Sequence, residues 1–410
     1  MAVAKHPRLE LWTAVRRIPV LVLLSLSCVS DTTRFVSDPD AAGALNPGRA
    51  STGAASPLDA GPGPAVVASS SPDDATDGGS PTNGKVRDAA AAPDAGPAHD
   101  CARFLPIPLP AGFSDSTDTH LSGDGLLVVA NGAVNVAYAH RWQQSNSMLV
   151  LSPLDGDTSS WVTALNRDAS VIVGGSFGPS GSRAVRWGLD GTPTPLAELS
   201  DALAVSADGS IVLGRDANGF VRWTASGSEP ITSLSTVNDM SADGRSLVGT
   251  AIADAAVADR AALDAGEGAV SMSLPEELTS RATRISKDGQ VVVGTSIDNN
   301  AVVRVFRWQA GTSEQLEGML EPYDINADGS VIVGAASSDP CSAGAAIWRQ
   351  GRGVENLGCL LPAQLVPEQW QLTRITSVSD DGRVFSGSGI NPDHVLQSWV
   401  AVLGDACPAP

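Results

Sequence analysis

One short motif returns seven times after residue 120, and it limits the fold more than any other feature of the chain. Each copy reads apolar residue, Ser or Asn, any residue, Asp-Gly, and then an apolar run. The copies begin at Leu121, Leu165, Val205, Met240, Ile285, Ile325 and Val378. Their Asp residues (Asp124, Asp168, Asp208, Asp243, Asp288, Asp328 and Asp381) are 44, 40, 35, 45, 40 and 53 positions apart. In the second copy Ala169 stands where the others have Gly. Six copies place another Gly six residues after the Asp, at Gly174, Gly214, Gly249, Gly294, Gly334 and Gly387, while the first has Ala130. Such a period marks an array of like supersecondary units.

Each part of the motif has a physical reading. Asp-Gly between apolar runs is a hairpin signal, because Gly accepts positive φ and Asp bonds nearby backbone N–H groups. Ser or Asn two residues earlier can bond the same loop. The runs Val171–Val173, Val291–Val293 and Val331–Val333 are β-branched or aliphatic throughout, as expected of a strand buried on both faces. The Gly that follows is expected to permit a bend or a close approach of the next sheet.

A second signature comes 15 to 20 residues after the Asp: Arg141-Trp142, Arg186-Trp187, Arg222-Trp223, Arg307-Trp308, Ile347-Trp348 and Ser398-Trp399, with Leu263 in the fourth copy. Most copies then reach a Gly-containing turn and a short strand ending in Leu, as in Gly353-Val-Glu-Asn-Leu357. The unit therefore holds four strands: one before Asp-Gly, one after it, the Trp strand and the Leu strand. The repeated Trp is expected to fill the wedge between neighbouring sheets; stacking on sugars is the functional alternative. The Arg before it is expected to pair or stack within the same layer.

Four strands in each of seven units predict an all-β, seven-bladed β-propeller-like ring over residues 101–410, where radial repetition leaves only short protected edges. Six or eight blades fit if a terminal copy is incomplete. A β-solenoid fits poorly, because each unit carries two hairpins.

The combination Ser286-Lys-Asp-Gly-Gln-Val-Val-Val-Gly294 followed by Val305-Phe-Arg-Trp308 resembles the HAF repeat, also called the probable extracellular repeat of bacteria. The resemblance covers nearly all of residues 101–410. It implies an extracytoplasmic location and a propeller-like fold, and it brings no catalytic residues with it.

The ends of the repeat region point to closure. The last copy stops soon after Trp399, and Cys101-Ala-Arg-Phe-Leu105 resembles the tail of a unit. The N-terminal segment is therefore expected to complete the last blade. Cys101 and Cys407 bracket the domain, so a disulfide between them would clasp the ring. Cys341 and Cys359 flank a hairpin of Ala345–Arg349 with Val354–Gly358, whose pairing would bring them together. Both bonds need Cα atoms within about 7 Å.

The N-terminus reads as an export signal. Lys5, Arg8, Arg16 and Arg17 precede the apolar run Ile18–Leu24, which is too short to span a bilayer. Residues 1–28 end in Leu24-Ser-Leu-Ser-Cys28, which resembles the lipobox of bacterial lipoproteins and would make Cys28 the lipidated residue. Ordinary secretion with cleavage near Ser27 or Ser30 is the alternative. The Arg16-Arg17 pair by itself does not make a twin-arginine signal. Residues 29–100 hold ten Asp against four Lys and Arg among Ala, Gly, Pro and Ser. Such a segment cannot bury enough apolar surface to offset the entropy of ordering, and is expected to be a disordered tether spanning roughly 45 Å.

Chemistry is harder to find. A net charge of −19 with no basic patch after the signal argues against nucleic acid. Of the five histidines, His120, His140 and His394 fall in the domain, isolated and without metal-ligand spacing. No phosphate loop, dinucleotide fingerprint or nucleophile elbow occurs, and one Asp per repeat falls short of a calcium shell. No catalytic residue, metal or cofactor is assigned. The expected protein is a monomeric, non-enzymatic surface lipoprotein that touches the membrane through its lipid alone and binds an unknown protein or glycan. The alternative is a propeller lyase or glycosidase acting on extracellular polysaccharide, with acids converging on the axis.

Overall fold

Seven four-stranded antiparallel sheets make up the fold, as the repeat count requires. The computed structural model describes residues 102–132, 137–140, 148–251, 259–272, 277–336 and 344–404. All of them belong to one compact unit, Arg87–Pro410. The signal segment, Cys28 and the linker lie outside the described residues, as do Cys101, Cys341 and Cys407.

Blades 1 to 6 take their four strands in chain order. Their first strands are Ser116–Leu121, Ser159–Leu165, Asp201–Val205, Thr236–Met240, Glu277–Ile285 and Met319–Ile325; that of blade 7 is Gln371–Val378. Each first strand touches those of the blades on either side, and the contacts run round from blade 7 to blade 1. The first strands thus surround the axis and the fourth strands lie outermost. Blade 7 borrows its outermost strand from the start of the domain: Arg103–Pro106 pairs with Leu396–Val402, setting Arg103 opposite Val402 and Pro106 opposite Trp399. The expected completion of the last blade is what the structure shows.

Turn chemistry repeats with the blades. In blade 3, Ser206 Oγ donates to Asp208 (2.6 Å) and accepts from the Ile211 N–H (2.9 Å), while Asp208 accepts from the Ser210 N–H (3.0 Å). Asn166 and Asn326 replace Ser in blades 2 and 6 and accept from Val171 and Val331 in the same way. Gly209 has φ of 73°, and Ala169 holds 58° at the corresponding place. The turn also rests on the preceding blade, since a Cβ on Gly209 would stand 2.5 Å from Val171 Cγ2. Glycine is needed there for its backbone angle and for its size.

These turns form a hydrogen-bonded ring at one end of the axis. Asp124 N–H donates to Arg167 O, Ala207 to Ala242, Ala242 to Lys287, Asp288 to Ala327, Ala327 to Asp380, and Asp380 to Gly123. Asn166 closes the remaining joint through Ala207 O (3.2 Å). Arg167 reaches past Gly123 to Asp380 at 2.9 Å, binding blade 2 to blade 7 across blade 1.

The Gly six residues after Asp has a different role from the one its sequence suggests. It meets the first strand of its own blade, not the next sheet. In blade 6, Gly334 pairs with Pro322, the register slips between Pro322 and Asp324, and a Cβ would fall 1.9 Å from Glu321 O. The same bulge sits beside Gly174, Gly214, Gly249, Gly294 and Gly387. In blade 1 the slip falls between Ser116 and Thr119 instead, leaving Thr119 squarely opposite Ala130. A side chain is accommodated where the bulge has moved away.

Seven apolar clusters fill the seven joints. Val129, Leu151, Val162, Ile172 and Trp187 join blades 1 and 2; Phe104, Val333, Ile347, Ile375 and Trp399 join blades 6 and 7. Each large side chain so buried contributes about 1.5–3 kcal/mol. Trp187, Trp348 and Trp399 are buried wedge residues, whereas Trp223, Trp308 and Leu263 are half-buried at the edges of theirs. The Arg of the Arg-Trp pair reaches out of its own layer. Arg222 donates to Gly244 O and Arg245 O, and Arg307 to Gly329 O, so each grips the turn of the next blade. Arg307 also lies over Trp348 of that blade, 5.4 Å from the ring centre.

One hairpin differs from its expected form. Ala345–Arg349 pairs with Gly353–Asn356, but the chain then turns into a one-residue-capped helical turn, Leu357–Leu360, so Cys359 is not on a strand. Asn356 caps that turn through the Gly358 N–H (2.9 Å).

Candidate functional site

The axis is where the seven units differ most. Aligned on the Asp-Gly turn, the first strands of several blades carry charged residues close to the turn, where the second strands begin with apolar ones. Asp118 and His120 come from blade 1, Asn238 and Asp239 from blade 4, Arg281 and Arg284 from blade 5, Glu321, Tyr323 and Asp324 from blade 6, and Arg374 from blade 7. All of these are half-buried. Two residues before the Ser or Asn of the turn stand His120, Asp239, Arg284 and Asp324 in blades 1, 4, 5 and 6, whereas blades 2 and 3 carry Ala164 and Ala204 there.

Several of these groups hold one blade against the next. Asp239 accepts from its own Met240 N–H (2.8 Å) and from Ile285 N–H of blade 5 (3.0 Å). Asp324 accepts from Ile325 N–H (2.9 Å), Val378 N–H (2.9 Å) and Ser377 Oγ (2.8 Å), the last two in blade 7. Asn238 donates to Ala282 O (2.7 Å), and Thr163 to Ala202 O (2.8 Å). Arg374 pairs with Asp118 at 3.0 Å across the closure, and the Tyr323 hydroxyl donates to Glu321 (2.6 Å).

Burial sets the protonation of the rest. It pushes His120 below the usual imidazole range; Arg284 acts in the same direction, while Asp118 and Asp324 oppose it. The ring is therefore neutral near pH 7 and hydrogen-bonded to Val162 O of blade 2. Burial pushes Asp239 upward against the pull of Arg284 and Lys287. It also raises Tyr323, helped by the hydrogen bond to Glu321. Arg281 is held below the ordinary arginine range by burial first and by Arg284 second.

His120, isolated in sequence, thus sits within the field of residues from blades 5 and 6. The others carried no recognisable motif. Their signal was compositional: charges two residues before Ser or Asn, where blades 2 and 3 have Ala164 and Ala204. No group of His, Cys, Asp and Glu among the described residues could hold a metal ion. His394 lies on a loop with φ of 61°, away from these strands in sequence and element. Of the cysteines, Cys359 is described and is not a free thiol.

No protein-family model matches the sequence, and no curated protein matches it either. Solved structures do. The β-propeller domain of the trilobed protease of Pyrococcus furiosus is 11% identical, over 72% of this chain and 100% of that one, with a TM-score of 0.49. An oligogalacturonate lyase of Vibrio parahaemolyticus is 10% identical, over 74% and 97%, also with a TM-score of 0.49. TolB of Acinetobacter baumannii is 16% identical with a TM-score of 0.41. The chain matches 60% of its own length to that TolB and spans only 64% of it. All three are similar to this chain in fold.

Proposed function

We propose that this protein is a non-enzymatic, exported lipoprotein of the HAF-repeat type that presents its propeller to a protein or glycan. The observation that carries binding over catalysis is how the axial acids are used. Asp239 and Asp324 spend their lone pairs on backbone N–H groups and a serine hydroxyl of the adjoining blade. A carboxylate so occupied makes a poor nucleophile or general acid. Export and anchoring rest on the positively charged start, the run Ile18–Leu24 and the lipobox-like Leu24-Ser-Leu-Ser-Cys28. Closure by Cys101–Cys407 is supported by the last blade. Cys101 lies two residues before Arg103, Cys407 five after Val402, and those two residues are paired. Cys341–Cys359 is the complementary pairing.

The enzyme reading has one observation in its favour. His120 is kept neutral near Asp118, Arg284 and Asp324, the state a general base requires. One experiment separates the two. The full chain is assayed on a glycan array and on purified envelope proteins, and in parallel on acidic and neutral polysaccharides for product release. Saturable binding without products is expected; turnover of any polysaccharide that His120→Gln abolishes would replace the binding reading with the lyase or glycosidase one.

A further inference from the structure

Several arginines of this ring face a carboxylate. Arg183 faces Asp157 at 2.7 Å, Arg304 faces Asp298 at 2.6 Å, Arg349 faces Glu355 at 2.9 Å and Arg374 faces Asp118 at 3.0 Å. Arg260 is paired with Glu277. Arg222 and Arg307 are satisfied by turn carbonyls of the next blade. Arg281 and Arg284 differ from these, and unlike the exposed Arg103, Arg215, Arg352 and Arg383, which also lack an ion pair, both are half-buried on a first strand. Neither makes an ion pair among the described residues. Arg281 donates to Asn238 Oδ1 (2.8 Å), and Arg284 to Thr283 O (2.9 Å). Arg281 Nε is buried with no partner at all.

The bulge explains how two like charges come together. Three residues apart, side chains of a regular strand point to opposite faces. Here Arg281, Ala282 and Arg284 pair with Thr295, Gly294 and Val293 in succession, so Thr283 is the extra residue. Arg281 and Arg284 therefore occupy alternate slots on one face. Ala282 and Ile285, on the other, pack with Val248 and Ala261 of blade 4. The arginines are close enough that Arg284 lowers the basicity of Arg281. A buried guanidinium N–H without an acceptor costs about 1–3 kcal/mol, and a neighbouring like charge adds to it. The fold holds this arrangement among the first-strand charges, where Asp239 feels the charge of Arg284 but is itself bonded to two backbone N–H groups.

We propose that Arg281 and Arg284 form an oxyanion site at the propeller axis, taking a carboxylate or phosphoryl group of the ligand. Guanidinium forks match the planar or tetrahedral oxygens of such groups bidentately, and the terminal nitrogens not bonded to Asn238 Oδ1 or Thr283 O, Arg281 Nη1 and Arg284 Nη2, are the donors offered to it. Asn238 Oδ1 orients Arg281 through the hydrogen bond from Nη2. This site deepens the binding reading and rests on it.

The test is isothermal titration of the full chain with glucuronate and with inorganic phosphate, glucose serving as the uncharged control. One anion, at least, is expected to saturate at one equivalent while glucose does not; the stronger of the two assigns carboxylate or phosphoryl. Arg281→Gln and Arg284→Gln should each weaken that binding at least ~10-fold, the loss expected of one charge-assisted contact. Arg304→Gln, at a paired arginine remote in the blade, should leave it unchanged. Should the glutamine variants fail to fold, phenylglyoxal labelling of the native chain decides: the anion must protect Arg281 and Arg284 and spare Arg245. No saturation by either anion, or equal binding by both glutamine variants, overturns the site. Glycan or protein binding that persists in those variants would leave the broader binding function standing without it. Product release would instead end the non-enzymatic reading and leave the anion site intact.

Discussion

Phe104, from the first strand of the domain, meets Trp399, from the last, with ring centroids 5.8 Å apart and planes at 36°. Trp370 closes on the same phenyl ring edge-on at 5.4 Å. The pair is the apolar half of the ring closure whose other half is the Arg103–Val402 strand pairing. Phe104→Ala should therefore cost about 3–5 kcal/mol, the usual range for a buried phenylalanine. Denaturant unfolding followed by tryptophan fluorescence will show it, because Trp399 and Trp370 both report on the joint.

The two-sided bond of Ser206 predicts a smaller but clean effect. Ser206→Ala removes the acceptor for Ile211 N–H and the donor to Asp208, leaving a partly buried N–H unpaired. A loss of about 1–3 kcal/mol is expected. Ser206→Asn should recover much of it, since Asn166 and Asn326 do the same work in blades 2 and 6. Thermal melts of the two variants make the comparison.

Asp208 also sets an acid limit. The Ser206 hydroxyl, the Ser210 N–H and the Ser210 hydroxyl lower its carboxyl from 3.8 to about 2. A depressed folded value means that the stabilisation is complete above the unfolded pKa and is lost as pH falls through the folded one. Stability should hold down to about pH 4 and decline toward pH 2. Asp168, Asp243 and Asp328 shift in the same direction and add to the slope. Asp208→Asn should flatten the acid limb of a stability–pH curve without moving its neutral plateau upward.

Gly334→Ala should be severe where an equivalent change at a turn is mild. The added Cβ would lie 1.9 Å from Glu321 O, so the bulge itself must shift, at about 3 kcal/mol or more. Gly156→Ala meets no atom within 4 Å and bears only the left-handed backbone angle, φ 82°, worth about 1–2 kcal/mol. Urea midpoints of the two variants should differ accordingly.

Covalent features are testable directly. Non-reducing peptide mapping should link Cys101 to Cys407 and Cys341 to Cys359; a Cys101–Cys341 or Cys101–Cys359 peptide would rule out the clasp. Cys28→Ser should abolish incorporation of labelled palmitate and move the protein from the membrane fraction to the soluble one. Retention of label in that variant would place the lipid elsewhere.

The sequence by itself determined the unit and its number. Each blade solves one local problem, a hairpin turn held by Ser or Asn and Asp, so the solution recurs at Asp124 through Asp381 and is readable without knowing the fold. The tail-like Cys101–Leu105 likewise revealed how the ring would close. The role of the glycine at Gly334 was not readable, because it depends on where the first strand slips against the second. Nor was the axis. Arg281 and Arg284 share a face only because Thr283 bulges, and His120 feels Arg284 and Asp324 only because closure carries blades 5 and 6 round toward blade 1. Turn chemistry acts over a few residues, whereas charge at the axis is summed over strands that lie more than a hundred residues apart in the chain; only the closed ring brings them into one field.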